Sequence, residues 1–202
     1  MTAPRTVFDP ADPEVNPYRL LTGLVVPRPI AWVSTVDGEG HGNLAPHSFF
    51  TGASGRPPVV LFSSLGRKDT VRNIEETGEF VISFSSESLL EQVNASSAPF
   101  EHGDDEALEL GIATEPSETV APHRVAESPA SIECRLHQIV EVGHAFVVFG
   151  AVSAITVVDD VLVDGLPSFE LLRPVSRLGG PEWGRPPEMF ELARPATVED
   201  VR

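Results

Sequence analysis

A mainly β protein, closed into a barrel and carrying two or three short helices, is the architecture implied by the order of apolar runs along this 202-residue chain. Residues 131–142 and 145–157 are long β-type runs joined only by Gly143-His144, and such a pair suits a hairpin that crosses a barrel. The other strand-like runs follow one another with only brief helical stretches between them, and no GxGxxG turn occurs. That order argues against a doubly wound α/β sheet.

The elements follow in sequence. Residues 1–17 carry prolines at 4, 10, 13 and 17 and read as an extended N-terminal arm. Tyr18 to Leu24 is a short helix or turn. Pro29 to Val36 holds Ile30, Trp32 and Val33 and reads as a strand, with Asp37-Gly38-Glu39-Gly40 as a hairpin signal after it. Asn43 to Phe50 resumes the extended pattern; Pro46 removes a ladder donor there, which marks an edge or bulged strand. Pro58 to Ser63 is a continuous apolar strand of the buried kind. Asp69 to Thr77 reads as a helix capped by Asp69 or Thr70 and stopped by Gly78. Glu79 to Ser85 is a further strand, and Glu87 to Ala95 a second short helix. Residues 99–118 are acidic and are expected to cover one edge as a mobile excursion. Leu162 to Gly180 holds a last strand or helical turn before the Gly179-Gly180 bend, and the C-terminal tail, 181–202, reads as irregular chain wrapped over a neighbour. Residues 1–202 are expected to form one domain.

Composition narrows the function. An apolar fraction of 41% is ordinary for a soluble globular protein. No apolar run approaches the ~20 residues needed to cross a bilayer, and the first fifteen residues lack the apolar core of a secretory signal. The single cysteine, Cys134, forms no internal disulfide and sits in an alternating run as a small core hydrophobe. A reducing, cytoplasmic location is the expectation. The net charge of −16 argues against nucleic acid or an anionic membrane as partner. Residues 15–68 reverse that sign: two acids, Asp37 and Glu39, stand against five bases, Arg19, Arg28, Arg56, Arg67 and Lys68, the last being the only lysine. A local reversal of this kind suits an anion that must bind against the field of the whole molecule.

The residues for such a site lie close together. Ser63 and Ser64 leave the end of a strand, Gly66 permits a tight turn, and Arg67-Lys68 add charge. Asp69-Thr70 then open a helix whose free N–H groups face the same place. No Walker GxxxxGK[ST] pattern is present. Asn43-Leu44-Ala45-Pro46-His47-Ser48 could present edge-strand backbone to the heteroatoms of a planar ring, with Asn43 and Ser48 as side-chain partners, or could simply curl at a barrel corner. His47 has no other histidine or carboxylate at ligand spacing, which favours a structural or solvent-facing role over a metal or acid–base one. Trp183 either packs or stacks on a ligand.

Taken together, these residues resemble the flavin reductase-like family, the FMN-binding split β-barrel proteins. The likeness runs through Pro27-Arg28-Pro29-Ile30-Ala31, Val33-Ser34-Thr35, Asn43-Leu44-Ala45-Pro46, Ser48-Phe49-Phe50, Lys68-Asp69-Thr70 with Asn73, and Glu76-Thr77-Gly78-Glu79-Phe80-Val81. It continues in Asn94-Ala95-Ser96-Ser97-Ala98, Glu127-Ser128-Pro129, Glu133-Cys134-Arg135-Leu136 and Arg177-Leu178-Gly179-Gly180. The resemblance implies a Greek-key split barrel that forms a homodimer, with FMN held noncovalently near the interface. It places the phosphate on Ser63, Lys68, Asp69 and Thr70, with Ser34 and Arg28 as neighbours. It places the ring along Asn43 to Ser48, chiefly on the backbone of Ala45 and Pro46 and including Leu44. Asn94–Ala98 and Trp183 would border the open face of the ring. The implied activity is NAD(P)H-dependent flavin reduction serving a flavin or protein electron acceptor. The alternative is an FMN-binding electron carrier or sensor without nicotinamide turnover. No catalytic side chain is implied, because the cofactor supplies the reactivity.

Overall fold

The computed structural model describes residues 3–201. Its elements, in chain order, are α1 (Pro17–Leu24), β1 (Ala31–Val36), β2 (Gly42–His47), β3 (Phe50–Gly55), β4 (Pro58–Leu65), α2 (Asp69–Thr77), β5 (Glu79–Phe84), α3 (Leu90–Ala95) and α4 (Glu106–Glu109). After these come β6 (Thr114–Glu115), β7 (Arg124–Val125), β8 (Ala130–Val142), β9 (Ala145–Val157), β10 (Leu162–Val163), β11 (Leu166–Pro167), α5 (Phe169–Leu172), β12 (Ser176–Arg177) and β13 (Trp183–Gly184).

Seven strands form one antiparallel sheet in the order β2-β1-β5-β8-β9-β4-β3. Its two outer strands, β2 and β3, are consecutive in the chain and separated only by Ser48 and Phe49. The sheet therefore curls until its edges meet through a covalent link, while β2 and β4 remain unpaired beside each other. This is a split barrel. The Phe49 carbonyl accepts the Ser63 N–H at 2.8 Å and fastens the closure.

Strand periodicity divides the core. On β1, Ala31 and Val33 point into the barrel with Phe62, Val71, Ile74, Phe80, Cys134 and Val148. Trp32, between them, joins a second cluster with Leu44, Leu89, Val93, Val125 and Val175. Both faces of β1 are thus covered. Burial, aided by the charge of Glu133, pushes the Cys134 thiol up to about 12, consistent with a packing role. Glu133 is buried as well, and it anchors the 118–124 loop by accepting from the Glu118 and Thr119 N–H groups at 2.8 and 2.6 Å.

Gly150 lies where β9 packs directly on the barrel core. A Cβ there would lie 2.3 Å from Phe80 Cζ and 2.9 Å from Cys134 Cβ. Gly150→Ala is therefore expected to destabilise the fold by about 1–3 kcal/mol through overpacking. Urea unfolding should show a lower midpoint at unchanged slope, and an unaltered midpoint would contradict this packing.

Several expectations change. Asn43–Phe50 is not one strand: β2 stops at His47 and β3 begins at Phe50. The acidic 99–118 segment does cover an edge, but it is built into the fold through α4, which packs on β2, and through the β6–β7 pair. The tail is not wholly irregular, since Trp183–Gly184 pairs with Ser176–Arg177.

Candidate functional site

Where β2 and β4 part, the barrel opens into a cleft of ≈ 570 Å³, within the roughly 300–1,000 Å³ typical of ligand pockets. One wall is β2, whose period of two sends Asn43, Ala45 and His47 to the same side. The opposite wall is the end of β4, with Ser63 and Ser64. Beyond Leu65 the chain reverses at Gly66, which sits at φ 84°, a region open to glycine. The Ser64 hydroxyl donates to the Gly66 carbonyl at 3.1 Å and holds the turn.

This turn delivers Lys68 to the N-cap of α2 in extended conformation, with no side-chain cap. The Val71 and Arg72 N–H groups both close on the Lys68 carbonyl at 3.0 Å. The Asp69 and Thr70 N–H groups make no hydrogen bond among the described residues. Two free donors and the positive end of a helix therefore face the cleft. Arg67 pairs with Glu75 and Arg72 with Asp69, whereas Lys68 has no carboxylate within 4.0 Å among the described residues. Its charge is the one left for a ligand.

Asp69 does something different from its neighbours. Its carboxylate accepts His102 Nδ1 at 2.7 Å, the Gly103 N–H at 3.3 Å and Arg72 Nη1 at 3.2 Å. It thereby ties the 100–103 loop over the mouth of the cleft, where Phe100 and Glu101 complete the lining.

Beneath the surface runs a polar network. Asn43 Nδ2 donates to Thr70 Oγ1 at 3.1 Å and to Thr35 Oγ1 at 3.2 Å. Thr70 Oγ1 lies 3.4 Å from His47 Nε2. The half-buried His47 ring packs on Phe62 with centroids 4.7 Å apart. Burial, with the Lys68 charge adding to it, holds the His47 pKa down at about 4. The imidazole is neutral at pH 7 and serves as hydrogen-bond partner, not cation.

A pH dependence follows. The folded-state pKa lies below the ordinary value of 6.5, so the folded form binds the proton less well than the unfolded chain. Stability from this group is full above pH 6.5 and is lost as pH falls toward 4. Discounted for partial exposure of the ring, the loss is about 1–3 kcal/mol. Urea unfolding at pH 7, 5.5 and 4 should show it, and His47→Gln should remove that component. Equal slopes for parent and variant would contradict the assignment.

Glu106 closes the edge of β2. Its side chain is buried, and Oε2 accepts the Leu44 N–H at 2.7 Å. Burial raises its pKa. An edge donor is thus capped by a carboxylate 62 residues away in sequence.

Of the residues singled out from the sequence, Asn43, Ala45, Pro46, Ser48, Ser63, Lys68, Asp69 and Thr70 all line the cleft. Four do not. Arg28 is buried and its guanidinium is consumed by the Thr22, Val25 and Leu178 carbonyls and by Ser48 Oγ. Ser34 faces a separate depression shared with Gly42 and His123, and its Oγ is buried without a partner among the described residues. The Leu44 side chain belongs to the second core cluster. Trp183 lines a smaller adjoining pocket. Sequence reasoning passed over His102 and Glu106 as cleft residues, and gave His47, inside the Asn43–Ser48 span, only a structural or solvent-facing role. Strand alternation from Asn43 would have placed His47; the other two carry no local signal.

The fold and the cleft together define a flavin-related oxidoreductase of the split-barrel class. The chain belongs to the flavin reductase like domain family, whose model matches residues 23–167. It is 40% identical over 195 residues to an uncharacterized protein of Halalkalibacterium halodurans, covering 91% of this chain and 93% of that one. Among solved structures it is similar to nitrilotriacetate monooxygenase component B from Bacillus cereus, with 32% identity, TM-score 0.90 and coverage of 95% of this chain and 100% of that one. The 2-nitrobenzoate 2-nitroreductase NbaA of Pseudomonas fluorescens is 29% identical with TM-score 0.88, over 96% of this chain and 98% of that one. Among the described residues no helix is long and apolar enough to cross a membrane.

Proposed function

We propose that this protein binds FMN in the cleft and works as an NAD(P)H-dependent flavin reductase, supplying reduced flavin or electrons to a partner. The observation that carries this reading is Lys68, a cation without an acidic partner among the described residues, beside the two N–H groups that open α2 and are free among those residues. The Ser63 hydroxyl lines the same end and makes no hydrogen bond within the described residues. A terminal phosphate matches this donor set, because it accepts from every group in it and has negative charge to offset that of Lys68.

The other end of the cleft suits a flat heterocycle. Alternation along β2 puts the Pro46 carbonyl on the outward side with the Leu44 N–H. Glu106 occupies that N–H, while the following Ser48 N–H has no partner among the described residues. An acceptor and a donor are therefore free along the ring edge. FMN, when bound, supplies the centre that takes up hydride. The chain grips the phosphate, aligns the ring and leaves one ring face open toward Ser97 and the tail. Neutral His47 holds Thr70 in position without adding charge.

The protein is further proposed to act as a homodimer. β3 is exposed from Thr51 to Gly55 along one end of β4, and Leu65 and Val142 are exposed apolar residues toward its other end, beside the β8–β9 turn. These surfaces suit a second copy, and sedimentation should return twice the 21.7 kDa chain mass.

Anaerobic titration of the FMN-loaded protein with NADH and with NADPH tests the activity. Stoichiometric bleaching of the yellow colour by one of them is the expected result. Bleaching by dithionite alone would overturn nicotinamide turnover and favour the carrier reading. A protein that fails to take up FMN would overturn both.

A further inference from the structure

A second pocket, of ≈ 150 Å³, adjoins the cleft, and Pro46, Ser48 and Ser97 line both. Its far wall is the β12–β13 hairpin, in which Arg177 and Trp183 stand opposite each other in register. Arg28 builds that wall. Its backbone N–H donates to the Arg177 carbonyl at 3.0 Å and its carbonyl accepts the Arg177 N–H at 2.9 Å. Its guanidinium also donates to the Leu178 carbonyl at 2.8 Å. The residue that the sequence suggested for phosphate thus holds a second binding surface in place.

Charge is the unusual feature of this pocket. The Arg177 guanidinium lies 4.6 Å from the Trp183 ring centroid and gives one bond among the described residues, to the Gly180 carbonyl at 2.8 Å. A guanidinium carries five N–H donors, so most of its capacity is unused. Among the described residues neither Arg28, which is buried, nor Arg177, which is half-buried, has a carboxylate within ion-pairing distance; the other arginines there are either paired, as Arg67, Arg72, Arg124, Arg135, Arg173 and Arg185 are, or exposed, as Arg5, Arg19, Arg56 and Arg194 are. Two neighbouring guanidiniums without an acid are conspicuous in a chain of net −16. Ile30 supplies an apolar floor, and Asn94 and Ser97 add polar groups at the rim.

We propose that this pocket binds a small planar carboxylate, with its ring against Trp183 and Ile30 and its carboxylate on the open fork of Arg177. The bidentate match of guanidinium to carboxylate and the stacking surface of an indole favour that class. At ≈ 150 Å³ the pocket is about five times the ~30 Å³ share of one water molecule. That is room for a single ring bearing an acid group and too little for a nucleotide. Because three residues are shared with the cleft, the bound acid lies beside the ring that the cleft would hold. That placement rests on the proposed flavin site, whereas the anion binding itself does not.

Calorimetric titration of the full chain with benzoate and with its neutral isostere benzamide, with and without FMN, tests the proposal. Benzoate is expected to bind at least tenfold more tightly than benzamide. Arg177→Gln should erase that preference, Arg177→Lys should restore part of it, and Trp183→Ala should weaken both ligands. Equal affinities in the parent protein, no benzoate binding, or an intact preference in Arg177→Gln would overturn it. The comparison within the parent protein needs no variant to fold. Benzoate selectivity without FMN uptake would leave this pocket standing and remove the flavin reading; FMN uptake without selectivity would do the reverse.

Discussion

Replacing Lys68 and Thr70 together with alanine is expected to weaken FMN binding at least tenfold. Lys68 is the only lysine in the chain and lies at the N-cap of α2 beside the free Asp69 and Thr70 N–H groups. Losing one charge-assisted hydrogen bond costs about 1.5–3 kcal/mol, and each ~1.4 kcal/mol is a factor of ten in affinity. Thr70 contributes less directly, because its hydroxyl is bound to Asn43 and lies near His47 within the network under the cleft. The single Lys68→Ala change therefore isolates the phosphate term. Riboflavin, which lacks the phosphate, should bind parent and Lys68→Ala protein alike. Quenching of flavin fluorescence on titration measures all of these. An unchanged FMN affinity in the double variant would show that the phosphate lies elsewhere.

Trp32→Ala is expected to cost about 3–5 kcal/mol of stability. Trp32, on β1, is fully buried in the cluster that contains Leu44, Leu89, Val93 and Val175. Its Nε1–H donates to Ser96 Oγ at 2.9 Å. Ser96 precedes Ser97 and Ala98, which line the cleft, so the same indole supports both the core and one wall of the site. Trp32→Phe keeps most of the packing and loses the hydrogen bond, so it should cost markedly less. Urea unfolding of the two variants should rank them in that order, with FMN affinity falling in parallel. A loss below about 1 kcal/mol for Trp32→Ala would mean that the cluster is looser than its burial implies.

The clearest sequence signals were those with a local physical cause. The expected helix from Asp69 to Thr77 has the bounds observed for α2 because Gly78 ends it at φ 74°, in the left-handed region. The long pair read at 131–142 and 145–157 recurs as β8 and β9, one residue longer at the start of β8, because uninterrupted β-formers flank a two-residue turn. By contrast, β3 reads Phe-Thr-Gly-Ala-Ser-Gly. It has little strand preference of its own and exists through pairing with β4.

The site was legible in its cleft-lining part for the same reason. Strand end, glycine turn and helix start lie within eight residues, so the cradle around Lys68 is a local motif. Arg28 shows the limit of such reading. Counting charges identifies a basic segment, but only the folded chain shows that three carbonyls and a hydroxyl occupy this guanidinium. Glu106 and His102 come from the acidic segment and meet β2 and α2 through long-range contacts. No periodicity announces them.

The central claim is that the phosphate of FMN sits at the start of α2 inside the split of the barrel. Crystals of the protein grown with FMN test it most directly. The phosphate should appear within hydrogen-bonding reach of Lys68 Nζ and the Asp69 and Thr70 N–H groups, with the ring edge along Pro46 to Ser48. Flavin density outside the cleft, or a phosphate directed into solvent away from Lys68, would contradict the account.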